Sequence, residues 1–310
     1  MSATYHIPVL LHTSIENLIT DPDGTYVDVT FGGGGHTREI LKNLSKKGKL
    51  FCFDQDADAE KNYINEFSAN EQVTFIPQNF RYMQKFLRVH GVTQVDGILA
   101  DLGVSSHQFD EGERGFSVRF DGPLDMRMNN SQSISAYDVI NNYTEDQLKN
   151  IFSLYGEVRN SKQLAHIIVN ARTKMKQNGG RGITTTGELK NIALTVVKGE
   201  HSPYLSTVFQ AVRIAVNDEM GALREMLEST TQLLKPGGRL VVISYHSLED
   251  RMVKNLIKTG SVLGENEGDM FGKKIIPFKQ LTKKPIIPDE NEIKENPRSR
   301  SAKLRIGIKE

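Results

Sequence analysis

The hydrophobic residues in the first hundred positions form short runs that alternate with amphipathic segments. Four runs are apolar and rich in β-branched or aromatic side chains, as buried strands are; they cover residues 26–28, 49–53, 73–76 and 96–100. Segments 37–44 and 57–67 repeat their apolar residues every three or four positions, which predicts amphipathic helices. This alternation predicts an α/β fold with a parallel sheet.

Three of the four predicted strands end in an aspartate, namely Asp28, Asp54 and Asp101. Phe80 follows the remaining strand. The carboxyl ends of parallel strands meet at one edge of the sheet, where open α/β proteins bind their ligands. We therefore expect these four side chains to lie along one ligand-binding edge.

Four consecutive glycines, residues 32–35, separate the first predicted strand from the first predicted helix. Glycine lets a backbone approach a ligand closely, and the N-terminus of the following helix offers unpaired N–H donors. Such a run is equally typical of a mobile surface loop. Asp54 favours the ligand, because it lies 20 residues after Gly34, the distance at which a βαβ unit presents a carboxylate to ribose hydroxyls.

The charge of this edge indicates which ligand it binds. Three carboxylates suit a cationic, hydroxyl-rich molecule, and S-adenosylmethionine has a sulfonium, an ammonium and a ribose diol but no phosphate. A dinucleotide such as NAD is the alternative. The Gly-x-Gly-x-x-Gly frame of that alternative, started at Gly32 and Gly34, places Thr37 where the third glycine belongs. This departure weakens the NAD alternative and leaves it open.

The second half of the chain completes the predicted sheet after a long insertion. Residues 233–244 have the pattern of a helix end, a Pro-Gly-Gly turn and a buried strand, similar to the turn and fifth strand of class I methyltransferases. A crossover between parallel strands needs about 30 residues, whereas 134 separate Asp101 from Lys235. We predict that residues 1–104 and 217–310 form a class I (Rossmann-like) methyltransferase domain, and that residues 105–216 form an inserted, all-helical substrate domain.

Local signals support helices in and after the insertion. Capping boxes at residues 144–147 and 185–188 predict two helix starts within it. Asn217 is predicted to be the N-cap of a helix that ends near residue 234, because acidic residues follow it in the first turn.

The net charge of the chain is too small to attract a nucleic acid by itself. The 310 residues include 39 Lys and Arg against 38 Asp and Glu, so any affinity for RNA has to come from a local patch. The acid-free stretch 158–187 is one candidate, although such a stretch is commonly just a solvated face. Its cations are Arg159, Lys162, Arg172, Lys174, Lys176 and Arg181.

Cysteine usage and hydropathy predict the compartment. The single cysteine, Cys52, excludes an intramolecular disulfide and a cysteine-based zinc site. No signal peptide and no apolar stretch of about 18–20 residues is present, so we expect a soluble cytoplasmic protein that does not enter the membrane. No metal site is predicted, because His36 has no companion ligand at metal spacing. The oligomeric state is left open.

Eight stretches of the sequence match one family in their order and spacing. They are residues 6–10 (His-Ile-Pro-Val-Leu), 28–36, 96–106, 114–117 (Arg-Gly-Phe-Ser), 121–128 (Asp-Gly-Pro-Leu-Asp-Met-Arg-Met), 209–214, 246–251 (His-Ser-Leu-Glu-Asp-Arg) and 296–305. Over essentially its whole length the chain resembles the bacterial small-subunit rRNA cytosine-N4 methyltransferases (RsmH, also called MraW). It departs from the family pattern at Val158, where a second Glu is usual, and at residues 204–208, which hold no cation.

The resemblance implies a cofactor, a partner and a set of site residues. The cofactor is S-adenosylmethionine, and the substrate is N4 of a cytidine in the decoding region of 16S rRNA (position 1402 in the family), within the small ribosomal subunit. Asp125, Arg127 and His246 are candidates for holding the substrate base. Cofactor contacts are carried onto Gly34, Gly35, His36, Asp54, Phe80, Asp101 and Gln108.

Asp101 is the predicted catalytic residue. The exocyclic amine of cytosine is a poor nucleophile because its lone pair is delocalised into the ring. An acceptor that holds an N4 hydrogen helps to pyramidalise the nitrogen and stabilises the positive charge that develops during attack. The alternative is that Asp101 only orients the cofactor. Methylation at C5 would need a cysteine nucleophile, and Cys52 lies in a predicted buried strand.

The remaining roles and functions each have an alternative. Phe80 is expected to pack against adenine rather than to serve only the core, and His36 is expected to contact the methionine end of the cofactor. Two other classes of function stay open. One is an NAD-dependent oxidoreductase, and the other is a non-catalytic RNA-binding or assembly protein that kept a methyltransferase fold.

Overall fold

The chain divides into two compact units in a computed structural model that describes residues 8–197, 200–266, 268 and 275–310. The first unit comprises Met1–Gly103 and Met220–Glu310, and the second is Val104–Glu219. The first two residues of the predicted family stretch 6–10 lie outside the described residues.

The first unit is built on seven strands. They are β1 (Thr25–Asp28), β2 (Lys49–Phe53), β3 (Val73–Ile76), β4 (Val95–Asp101), β5 (Leu234–Ser244), β6 (Phe278–Gln280) and β7 (Lys303–Lys309). They form one sheet with the order β3-β2-β1-β4-β5-β7-β6. The first five strands pair in parallel, and β7 and β6 continue the sheet in antiparallel pairing. The predicted α/β fold with a class I (Rossmann-like) methyltransferase sheet is confirmed.

Burial on both faces explains why the central strands are apolar without alternation. Neighbouring residues of a strand point to opposite faces of the sheet. Val27 and Phe51 therefore join one hydrophobic cluster, whereas Tyr26 and Leu50 join another. The α-helices among the described residues of this unit are α1 (Leu11–Leu18), α2 (Gly35–Asn43), α3 (Ala57–Glu66), α4 (Met83–Val89), α11 (Glu219–Leu233, from its second residue), α12 (Ser247–Thr259) and α13 (Glu290–Glu295). Residues of α4, α11 and α12 cover the first face, and residues of α1, α2 and α3 cover the second.

The regular elements described in the second unit are helical. They include α5 (Ser106–Asp110), α6 (Ala136–Asn142), α7 (Glu145–Leu154), α8 (Ser161–Gln177), α9 (Thr186–Leu194) and α10 (His201–Asn217). Both predicted capping boxes are present, with Thr144 and Thr185 as the N-caps of α7 and α9. These helices surround their own hydrophobic core, in which Phe152 and Val208 are fully buried.

Asn217 is not an N-cap, and this prediction was wrong. Asn217 is the last residue of α10, and Asp218, with φ of 46°, separates α10 from α11. The Asn217 side chain instead holds a loop, since it accepts from the Met128 N–H at 2.8 Å and donates to the Met126 carbonyl at 2.7 Å. In the sequence, an asparagine followed by acidic residues has the same pattern at the start of a helix as at a junction between two consecutive helices. The pattern alone therefore does not identify an N-cap.

No helix among the described residues is long and apolar enough to cross a bilayer.

Candidate functional site

The carboxyl edge of the sheet carries aspartates at the ends of three neighbouring strands. Asp28 is the last residue of β1, Asp101 is the last residue of β4, and Asp54 directly follows β2. Because β1 pairs with both β2 and β4, Asp28 lies between the other two. Burial, and to a smaller extent repulsion from Asp28, raises the pKa of both Asp54 and Asp101.

The glycine loop after β1 is tightly packed on one side and open on the other. Gly34 has φ of 72°, and a Cβ atom there would lie 2.6 Å from the Phe67 ring. A Cβ atom on Gly35, the first residue of α2, would overlap the Pro8 ring. A Cβ atom on Gly33 would have no heavy atom within 4 Å. Gly33 is therefore the exposed residue of the loop, with open space on the side where a Cβ atom would lie.

Asp54 is bound to this loop through backbone groups. Its Oδ2 accepts from the Gly32 N–H at 2.8 Å, and its Oδ1 accepts from the Asp56 N–H at 2.9 Å. Burial nevertheless raises the pKa of Asp54 to about 6. A carboxylate offers about four lone-pair sites, so Asp54 can accept further hydrogen bonds from the hydroxyls of a ribose.

Asp28 serves the loop itself. Its Oδ1 accepts from the Thr30 N–H at 3.1 Å, and its Oδ2 accepts from the Thr37 hydroxyl at 2.8 Å. The Thr37 hydroxyl also lies 3.2 Å from the Cys52 sulfur. Thr37, which replaces the third glycine of the dinucleotide fingerprint, therefore has a structural use. Burial raises the pKa of the Cys52 thiol well above its ordinary value, so Cys52 is not a thiolate nucleophile.

His36 presents an acceptor to Asp101. Its buried ring has Nε2 3.3 Å from the Val9 carbonyl, and burial lowers the pKa of His36 to about 4, so the ring is neutral at pH 7. A carbonyl only accepts, which assigns the ring proton to Nε2 and a lone pair to Nδ1. Nδ1 lies 3.9 Å from Asp101 Oδ2. When Asp101 is ionised, two acceptors thus face each other across a gap that a donor can bridge.

Asp101 is held by two groups that the sequence prediction did not include. The Tyr245 hydroxyl donates to Asp101 Oδ1 at 2.7 Å, and the Asp101 N–H donates to Thr30 Oγ1 at 2.7 Å. Burial raises the pKa of Asp101 to about 7, against the lowering effect of the Tyr245 hydrogen bond. A polar side chain directly after β5 was the available signal for Tyr245, because the same rule had identified Asp101 after β4.

Phe80 and His246 both have structural uses at this end of the first unit. Phe80 begins a short 3-10 helix, Phe80–Tyr82, and is partly buried against the hydrophobic cluster on one face of the sheet. His246 is the N-cap of α12, where Glu249 closes the capping box. Contact of Phe80 with adenine and of His246 with the substrate base remain predictions.

Three predicted site residues belong to the second unit. Asp125 and Arg127 form a bidentate ion pair, with Arg127 Nε 2.8 Å from Oδ1 and Nη2 2.6 Å from Oδ2. Arg127 Nη1 also donates to the Gln132 carbonyl at 2.8 Å. Gln108 is buried, and its side-chain oxygen accepts from the Ser105 N–H at 3.1 Å in the capping box of α5. Their contacts with cofactor or base remain predictions.

Two cations of the predicted patch 158–187 are used inside the fold. Arg172 donates to the Ile140 and Tyr143 carbonyls, and Lys176 donates to the Asn141 carbonyl at 3.2 Å. These carbonyls lie at the C-terminus of α6, where cations are favourable. The exposed cations of the patch are Arg159, Lys162, Lys174 and Arg181, together with the side chain of Lys176.

The edge of the sheet fits S-adenosylmethionine by its chemistry. Within the described residues, no lysine or arginine pairs with Asp28, Asp54 or Asp101. A cationic ligand would supply the counter-charge that these carboxylates lack, whereas a pyrophosphate would meet repulsion. Asp54 suits the ribose hydroxyls, and the empty space beside Gly33 leaves room for the chain of a ligand.

Comparison with known proteins identifies relatives over the whole length. A model of the MraW methylase family matches residues 3–310. The ribosomal RNA small subunit methyltransferase H of Bacteroides thetaiotaomicron is 57% identical over 307 residues, which cover 99% of this chain and 98% of that protein. The protein of the same name from Flavobacterium johnsoniae is 52% identical over 306 residues, 98% of each chain.

Solved structures show a more distant likeness. An rRNA methylase from Streptococcus thermophilus aligns over 96% of this chain and 92% of its own, with a TM-score of 0.41 and 13% sequence identity. TrmN from Thermus thermophilus aligns over 97% of this chain and 48% of its own, with a TM-score of 0.41 and 10% identity.

Proposed function

The chain belongs to the MraW methylase family and is an S-adenosylmethionine-dependent rRNA methyltransferase; we propose that its target is N4 of a cytidine in the decoding region of 16S rRNA. The 57% identity to a small-subunit rRNA methyltransferase supports the choice of substrate. The base, its atom and its position, 1402 in the family, rest on the resemblance of the sequence motifs. In bacteria this substrate would place the protein in the cytoplasm.

The observation that carries this proposal is the pair of acceptors at Asp101 and His36. Asp101 Oδ2 and His36 Nδ1 lie 3.9 Å apart, and the described residues place no hydrogen-bond donor between them. An amino group carries two N–H donors and fits such a pair. The pair lies at the carboxyl edge of the sheet, where a parallel α/β protein binds its ligands.

The chemistry of Asp101 follows from this geometry. When bound, S-adenosylmethionine supplies an electrophilic methyl group. Asp101 accepts a hydrogen bond from the cytosine amine, which shifts electron density onto N4 and stabilises the positive charge that develops there. Since burial holds the pKa of Asp101 at about 7, the carboxylate can also accept the proton that N4 loses.

The second unit, residues 104–219, is proposed to recognise the RNA. Four of its cations, Arg159, Lys162, Lys174 and Arg181, are exposed in the stretch that contains no acidic residue. Exposed cations in a stretch that lacks acidic residues suit the phosphates of an RNA chain. A stacked or paired cytidine also has to be turned out before its amine can reach a buried acceptor.

Isotope-labelled S-adenosylmethionine and mass spectrometry of the product test the proposed function. The protein is incubated with small ribosomal subunits that lack the modification, and with naked 16S rRNA, and the nucleosides are analysed. We expect label in N4-methylcytidine, and none with an Asp101→Ala variant that still binds the cofactor. Label on C5 would contradict the N4 assignment. RNA binding without any methyl transfer would favour a non-catalytic assembly protein.

A further inference from the structure

Tyr245 connects the end of β5 to Asp101 at the end of β4. Its hydroxyl donates to Asp101 Oδ1 at 2.7 Å, and its backbone N–H donates to the Glu249 carboxylate at 2.8 Å. Burial, followed by the charge of Asp101, raises the pKa of the phenol well above its ordinary value. Tyr245 is therefore fixed at both ends and remains a hydrogen-bond donor throughout the working pH range.

The two oxygens of Asp101 consequently have different surroundings. Oδ1 is occupied by the Tyr245 hydroxyl, whereas Oδ2 faces His36 Nδ1 at 3.9 Å. The Asp101 backbone is fixed separately by Thr30, whose hydroxyl accepts from the Asp101 N–H at 2.7 Å. The two side-chain torsions of Asp101 are left to be restrained, and the hydrogen bond from the Tyr245 hydroxyl restrains them.

We propose that Tyr245 is a positioning residue for the methyl transfer, which holds Asp101 so that Oδ2 points to the acceptor amine. Without this donor, the carboxylate could rotate and present either oxygen, or turn away from the amine. Loss of a well-oriented group lowers the rate even when the group itself is retained. The inference rests on the proposed role of Asp101 as acceptor for the cytosine amine.

The charges around Asp101 predict how its titration responds. Asp28 on β1 and Glu249 on α12 are like charges that raise the pKa of Asp101, after burial as the largest cause. His36 on α2 is neutral at pH 7, because burial lowers its pKa to about 4. The Tyr245 hydroxyl lowers the pKa of Asp101. Removal of this hydroxyl should therefore move the pKa of Asp101 upward.

Tyr245→Phe tests the proposal, because it keeps the ring and removes only the hydroxyl. We expect kcat to fall about 10- to 100-fold, the range for loss of one hydrogen bond to a charged group. The acidic limb of the pH–rate profile should move to higher pH, and the Kd for S-adenosylmethionine should stay within about twofold. The matched control is Tyr26→Phe, which removes a buried hydroxyl that donates to the Asp21 carbonyl elsewhere in the same unit. This control should lower Tm and leave the pH limb in place.

A double variant separates positioning from packing. If Tyr245 acts through Asp101, Tyr245→Phe should cause no further loss in an Asp101→Asn background. An additional loss there, or a wild-type rate and pH limb in the single variant, would overturn the proposal.

The carboxyl titration of Asp101 gives a readout that does not need activity. Carbon-13 NMR of the free protein should show a higher pKa for Asp101 in Tyr245→Phe than in the wild type. An unchanged pKa would overturn the inference even if the wild type methylates N4. A raised pKa in a protein that transfers no methyl group would support the Tyr245–Asp101 contact and contradict the proposed function.

Discussion

Carboxylates in two regions of this chain have pKa values that are shifted in opposite directions. At the carboxyl edge of the sheet, Asp28, Asp54 and Asp101 meet neutral donors, and burial raises the pKa of Asp28 and Asp54 to about 6 and that of Asp101 to about 7. In the loop at residues 121–128, burial also opposes ionisation of Asp125. There, however, the bidentate hydrogen bonds and the charge of Arg127 prevail, and the pKa of Asp125 is lowered.

This difference in pKa shifts indicates which of the two regions binds a ligand. The Asp125–Arg127 pair is already neutral and needs no further counter-charge, so its evident use is to hold the loop. The edge carries carboxylates whose ionised form is unfavourable in the free protein. Such groups are typical of functional sites, and a cationic ligand relieves their destabilisation when it binds.

Replacement of Asp101, the carboxylate proposed to be catalytic, should have the largest effect. Asp101→Asn keeps the size of the side chain and removes its charge, so kcat for methyl transfer should fall about 10²- to 10⁴-fold, the range for loss of a general base or of a charge-stabilising group. Calorimetry with S-adenosylmethionine measures whether the cofactor still binds. A Kd within about tenfold of the wild type would assign Asp101 to the chemistry, and a parallel loss of affinity would assign it to cofactor orientation. Asp58→Asn, the same change at a carboxylate that pairs with Lys61 on α3, should leave kcat near the wild-type value.

Asp54→Ala should mainly weaken cofactor binding. It removes the carboxylate proposed for the ribose and also the acceptor of the Gly32 N–H. We expect the Kd for S-adenosylmethionine to rise about 100-fold, since two hydrogen bonds to a charged group are lost. Asp58→Ala is the matched control, because it removes a nearby carboxylate that pairs with Lys61 on α3. Wild-type affinity in the Asp54 variant would contradict the cofactor site.

The two regions should respond to charge removal with opposite changes in thermal stability. The pKa of Asp101 in the folded protein, about 7, lies above its ordinary value of 3.8. Its contribution to stability is therefore present at acidic pH and is lost as the pH rises from about 4 to about 7. Asp101→Asn should thus raise the Tm of the free protein at pH 8, by on the order of 2 °C or more, and this gain should shrink toward pH 5.

Asp125 has a lowered pKa, so its contribution to stability is present at neutral pH, and Asp125→Asn should lower Tm at pH 8. Differential scanning calorimetry of both variants measures this, and equal signs at pH 8 would refute the contrast.

Local sequence patterns predicted the strands of the sheet. The residues that were missed have contacts that are distant in the sequence. The apolar runs identified β1 to β4, and the rule that ligands bind at the carboxyl ends of parallel strands singled out Asp54 and Asp101. Tyr245 was missed because its role depends on the pairing of β4 with β5, which brings Asp101 opposite Ile243. The same limitation applies to Arg172, whose guanidinium stabilises the C-terminus of α6 by donating to the Ile140 carbonyl, 32 positions earlier in the chain. Spacing along the sequence does not show which carbonyl a long cationic side chain reaches.

Cys52→Ala should have the smallest effect on activity, and it separates the two possible sites of methylation. Attack on C5 of cytosine requires a thiolate, whereas transfer to N4 requires only an acceptor for the amine. Burial first, and then the charge of Asp28, raises the pKa of Cys52 well above its ordinary value, so the thiol stays protonated. The rate of methyl transfer to the small subunit should therefore remain within about twofold of wild type, while Tm falls slightly because a small buried side chain is lost. Complete loss of transfer in a folded Cys52→Ala protein would instead point to a cysteine nucleophile, and Asp101 would then lose its assigned role as acceptor for the amine.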